Sequence, residues 1–199
     1  MDLDQWEIAQ SAASKIVEDG MPWGAAKRYA AETLGFPTRT ALPDNHLVLR
    51  AVREHIALYC ADEQAQALSQ LRGLCEQWMQ RMSAYRPHVS GAVWLGVATS
   101  WSDIHIDLYS DDPKMPEIDL LNQGVDFDTS EGTGSRGEAV PQIIVMERLA
   151  GWPNGVAVIM TVFDANDLRG ALKPDRHGQA PRGDLRALQR LMAESNAHP

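Results

Sequence analysis

At 199 residues, with 44% hydrophobic and 23% charged residues, the chain has ordinary globular composition, which excludes a fibrous or disordered protein. Its net charge of −9 disfavours general binding to duplex nucleic acid through phosphate neutralisation. The two cysteines, Cys60 and Cys75, match neither a disulfide framework nor a zinc pattern, and are expected as buried thiols of a reducing compartment.

The amino terminus, Met1-Asp-Leu-Asp-Gln-Trp6, has no basic region and no long apolar run, so a cytoplasmic protein with no membrane partner is expected. The length suits a small helical domain followed by a mixed one, and the expected division is residues 1–86 and 87–199. Charge is unevenly placed. Nine acids between Asp103 and Glu131 stand against Lys114 alone, whereas six cations between Arg169 and Arg190 stand against Asp175 and Asp184. Either an acidic metal pocket lies near a basic phosphate-binding tail, or two solvated faces attract each other.

In chain order, Ile8, Ala12, Ile16 and Val17 form a helical stripe that Gly20 closes. Pro22 suits the first turn of a second helix, Trp23 to Leu34, which Gly35 caps. A loop with Pro37 and Pro43 leads to a third helix marked by Leu47, Ala51, Ile56 and Leu58. A fourth runs from about Asp62 to Tyr85, with Leu68, Leu71, Leu74, Trp78 and Met82 at spacings of three and four. Residues 9–36 also permit a helix-turn-helix reading, although no basic recognition face is evident.

Pro87 ends the helical half. Strands are expected at His88 to Val93 and Asp103 to Tyr109, then a short helix from Pro113 to Leu121 and a strand at Val125 to Asp128. Thr129 to Glu138, rich in Gly and Ser, is expected as a mobile loop, and Thr133 to Gly137 within it as a possible phosphate cradle. Gln142 to Leu149 and Val156 to Phe163 read as a hairpin turning at Asn154-Gly155. A short helix through Ala171 and a last amphipathic helix with Leu185, Leu188, Leu191 and Met192 complete an α+β chain: a helical first half followed by a mixed sheet with flanking helices.

The chemistry concentrates between Gly91 and Tyr109. Asp103, His105 and Asp107 alternate with Ile104, Ile106 and Leu108, so in a strand the three polar groups share one face. The plain alternative is a half-exposed strand whose polar face meets water. A Ser-His-Asp nucleophile built on Ser102 and His105 fails, because residues at odd separation on a strand point to opposite faces. His46, His55 and His88 are scattered, and Trp94 and Trp101 flank the segment as candidates for stacking on a base.

Gly91-Ala92, Gly96 and Ser102-Asp103-Ile104-His105 stand, without a gap, where the nucleotidyltransferases of the DNA polymerase β superfamily carry Gly-Ser, a second glycine and Ser-Asp-Ile-Asp. The segment resembles that signature over about residues 88–109. The whole chain is similar to small bacterial proteins that place a helical segment before such a core. The resemblance implies a metal-dependent transferase fold. Its ligands would be Mg2+ or Mn2+ and a nucleoside triphosphate, and its acceptor an unknown small molecule, protein or RNA. Asp103 and Asp107 would be catalytic, Gly91, Ala92 and Ser102 would hold the nucleotide, and the metal ligands would be drawn from Asp103, His105, Asp107 and Asp126. In such enzymes close carboxylates hold magnesium against the triphosphate, and a glycine pair lets backbone N–H groups approach it.

Two departures stand out. Ala92 lacks the hydroxyl, and His105 replaces the second carboxylate with a nitrogen ligand suited to transition metals rather than magnesium. Asp107 is one strand repeat further on, about 6.6–6.8 Å past His105. For the third acid, Val156 to Phe163 offers Ile159 or Thr161; Asp126 is favoured by chain order, with Glu147 the other choice. Arg182 or Arg186 would neutralise the leaving diphosphate. The two function classes are therefore a nucleotidyltransferase and a degenerate member that binds a nucleotide, or a protein partner through its helical half. A helix-turn-helix regulator is the third.

Overall fold

Short-range signals fix the helix ends. The Asp44 carboxylate accepts the Leu47 N–H at 2.8 Å, an N-cap that satisfies a donor otherwise orphaned at the start of a helix. The computed structural model describes residues 3–134 and 136–197, so Ser135 of the expected phosphate cradle lies outside the described residues. The chain divides into two units, Met1–Ala67 with Thr99–Trp101, and Leu68–Ala98 with Ser102–Pro199. The 86/87 junction expected from sequence falls inside the second.

The first unit holds α1 (Leu3–Asp19), α2 (Trp23–Thr33), α3 (Asn45–Tyr59) and the start of α4 (Ala61–Arg81). Ile8, Ala12, Ala26, Ala30 and Ala31 form its buried seam, where small side chains let α1 and α2 approach closely. Leu58, expected in the buried stripe of α3, is 74% exposed. It follows the buried Ile56 by two positions and so lies on the opposite side of the helix.

In the second unit a six-stranded sheet has the order β3-β4-β5-β2-β1-β6. Its strands are β1 (His88–Ser90), β2 (Ile104–Ser110), β3 (Asp128–Thr133), β4 (Ala139–Glu147), β5 (Val156–Asp164) and β6 (Arg182–Asp184). β2 runs parallel to β5, and every other neighbouring pair is antiparallel. One sheet face supplies Val89, Ile104, Ile106, Leu108, Val158 and Met160 to a core completed by Leu71, Cys75, Trp78 and Met79 of α4 and Leu188 of α8 (Leu185–Ala197). The remaining helices are α5 (Gly91–Leu95), α6 (Met115–Asn122) and α7 (Leu168–Ala171). The architecture is α+β.

Three strand expectations shift. The first strand stops at Ser90, because the chain turns at Gly91 (φ 66°) into α5 instead of continuing to Val93. The strand expected at 125–128 lies at 128–133, and the expected loop supplies most of it: the backbone of Asp128–Thr133 pairs with β4 from Ile144 to Ala139, so ladder hydrogen bonds outweigh a polar, glycine-containing composition. The β4–β5 hairpin forms with Glu147 opposite Val156, leaving residues 148–155 in the connection. Gly155 adopts positive φ there but Asn154 does not, so the two-residue turn is replaced by a longer loop. Among the described residues no helix is long and apolar enough to cross a membrane.

Candidate functional site

Alternation along β2 sends Ile104, Ile106 and Leu108 into the core and places His105, Asp107 and Tyr109 on the opposite face. That face is not uniformly open. Asp103, just before the strand, is exposed, and His105 keeps contact with solvent. Asp107 is only 7% exposed and Tyr109 1%. Two residues of strand thus separate a wet end from a dry one.

At the dry end, Arg182 Nη1 lies 2.8 Å from the Asp107 carboxylate and donates to the Tyr109 hydroxyl at 2.7 Å. The Ser90 side chain hydrogen-bonds the same carboxylate. Strand order explains the meeting: β6 pairs with β1, which pairs with β2, so Arg182 and Ser90 stand in the register of His105 and reach Asp107 diagonally. Burial nevertheless raises the Asp107 carboxyl to about 6, more than Arg182 and Ser90 together lower it. Arg182 Nε is buried without a partner among the described residues. Across β5, β4 and β3 the polar row continues: Gln142 Nε2 donates to Thr161 Oγ1 at 3.0 Å, and Ser130 Oγ to Gln142 Oε1 at 3.2 Å.

At the wet end, Gly91 opens α5 at φ 66°, and a Cβ built there would meet His105 Cδ2 at 3.4 Å. The backbone angle favours glycine, whereas an added Cβ would only reach van der Waals contact with His105. Gly96 closes the same helix at φ 76°. Ala92 packs half-buried against the core, and Ser102 immediately precedes Asp103. Partial desolvation beside the packed strands lowers the His105 pKa, an effect larger than the opposing attraction of Asp103.

The other expected site residues lie elsewhere. Asp126 is exposed and precedes β3, three strands from β2, which at about 4.8 Å per strand is on the order of 14 Å away. Glu147 projects to the core side and accepts from Trp78 Nε1 at 2.9 Å. The β5 residues in register with His105 and Asp107 are Ile159 and Thr161, neither of them acidic. Arg186 is exposed on α8. Trp94 is half-buried, and its indole donates to the Ala180 carbonyl at 2.7 Å; Trp101 belongs to the first unit, where its side chain packs against Gly20. His88 is buried, its Nδ1 2.8 Å from the Arg86 carbonyl and its ring edge-on to Tyr109.

A carboxylate-held pair of magnesium ions needs neighbouring acids free to ligate. Here Asp107 is held by Arg182, His105 intervenes, and among the described residues no three His, Cys, Asp or Glu side chains lie close enough to hold an ion. The residues present do not fit such a pair. Sequence spacing singled out Asp107 and Arg182 separately but not as partners, because their meeting depends on how β6 joins the sheet.

No protein-family model matches the chain, and no curated protein matches it. Among solved structures it is similar to the Cid1 poly(U) polymerase with MgGTP bound, at 14% identity and a TM-score of 0.33, over 51% of this chain and 32% of that one. For Cid1 in complex with the UTP analog UMPNPP the values are 13% and 0.32, over 51% and 31%. A third Cid1 poly(U) polymerase structure gives 19% and 0.29, over 55% and 32%. The chain therefore spans about a third of the length of each.

Proposed function

We propose that this chain is a nucleotidyltransferase-like module that binds a nucleoside triphosphate as its divalent-cation complex at the open end of β2 and does not carry out magnesium-assisted transfer. The observation that carries this reading is the ion pair between Arg182 and Asp107. The acid that would have to stand in for the carboxylate replaced by His105 is occupied by a cation of the same chain, in a buried position.

What remains open suits binding. Asp103 is exposed, and the gapless spacing from Gly91 to Asp103 supports phosphate approach at the Gly91-Ala92 turn. A metal–triphosphate complex takes part of its coordination from phosphates and water, so one carboxylate can anchor it. Transfer asks for more, because a second acid must help to neutralise charge as it develops.

Calorimetric titration with magnesium and manganese complexes of nucleoside triphosphates tests this. Binding should weaken at least about tenfold in Asp103→Asn, a loss of roughly 1.4 kcal/mol. Absence of binding to the unaltered chain refutes the reading. Transfer of a labelled nucleotidyl group, abolished by Asp103→Ala, would instead establish the enzyme.

A further inference from the structure

The polar face of β2 ends in a groove that the reading above does not use. It encloses about 580 Å³ beside the carboxyl ends of β2 and β5, within the roughly 300–1,000 Å³ typical of small-molecule sites. Tyr109 and Phe163, neighbours in register, form its aromatic wall, with ring centroids 5.7 Å apart and planes 25° from parallel. Phe163 is half-buried, whereas Tyr109 is fully buried and tied to Arg182.

Three cations line the groove, Arg136, Lys173 and Arg182, against one carboxylate, Asp167. Arg182 is fixed in place by Asp107 and Tyr109. Arg136 is paired with Asp167 at 3.2 Å, and Lys173 is exposed. With Asp107 counted against Arg182, three cations face two carboxylates, a small local excess of positive charge in a chain of net charge −9. An aromatic ring beside cations recognises a planar ring linked to an anion: the ring stacks, and the anion meets cations already held in place.

We propose that this groove binds a nucleoside monophosphate or a ligand of the same chemistry, a planar base joined through a sugar to a phosphate, without a divalent cation. Tyr109 is four residues past His105 on β2, about 13 Å along the strand, so this site is distinct from the one at Asp103.

The test is titration of the full chain with AMP and UMP in the presence of a chelator, followed by amide chemical shifts, with ribose 5-phosphate and the free nucleosides as comparison ligands. Expected are saturable shifts around Phe163, Asn166 and Gly170, unchanged in Asp103→Asn. Binding should be roughly fivefold weaker in Lys173→Gln and roughly tenfold weaker in Phe163→Leu, where stacking is lost. Lys173 is exposed, so its variant keeps the test valid if Phe163→Leu disturbs folding. The proposal is overturned if neither nucleotide binds, if shifts cluster at Gly91 to Asp103, or if ribose 5-phosphate binds as tightly as the nucleotides. Loss of this site with retention of triphosphate binding refutes this inference alone, and the reverse refutes only the function proposed above.

Discussion

Arg182 Nη1 stands 2.8 Å from the Asp107 carboxylate, and this contact joins a three-residue edge strand to a central strand of the sheet. Asp107 is nearly solvent-free, so the pair sits where an unpaired charge is costly.

Replacing Arg182 with Gln should therefore lower stability by about 2–3 kcal/mol, below the roughly 3–5 kcal/mol seen for broken buried pairs because Arg182 retains some solvent contact. Urea denaturation measures it. Adding Asp107→Asn to that variant should restore part of the loss, since the orphaned carboxylate is then gone. An unchanged midpoint in the single variant would show that the pair contributes nothing.

The same carboxylate makes stability depend on pH. Its folded pKa, about 6, lies above the unfolded value of roughly 3.9, so the native state binds the proton more tightly. Its contribution is full below about pH 4 and is lost as pH rises to about 6, a change of roughly 2–3 kcal/mol. The stability difference between the unaltered chain and Asp107→Asn should therefore shift against the unaltered chain across that interval. Parallel pH profiles would contradict the burial argument.

Gly91→Ala and Gly73→Ala should have opposite signs. Gly91 holds φ 66°, a left-handed backbone angle, so alanine should cost about 1–2 kcal/mol. Gly73 lies inside α4 with nothing within 4 Å of an added Cβ, and alanine there should stabilise by roughly 0.5–1 kcal/mol. Thermal unfolding of both variants checks the pair.

How far the sequence exposed this structure depends on the range of the forces involved. Gly20 and Gly35 mark helix ends through contacts a few residues long, and the Ile104-Ile106-Leu108 alternation identifies β2 because burial of one face imposes period two. Asp128–Thr133 was hidden: its side chains are mostly exposed and polar, and it is a strand through its ladder to β4. The candidate site divides similarly. The Gly91 turn and the shared face of His105 and Asp107 follow from local spacing, whereas the hold of Arg182 on Asp107 follows from β6 pairing with β1, which no local pattern encodes.

The central claim is tested most directly by the fate of a nucleoside triphosphate labelled at its α-phosphate, incubated with the full chain and magnesium or manganese. The account predicts label retained on the protein, displaced by excess unlabelled nucleotide, recovered as intact triphosphate, and lost in Asp103→Asn. Label transferred to an acid-stable product, or no retained label at all, would contradict it.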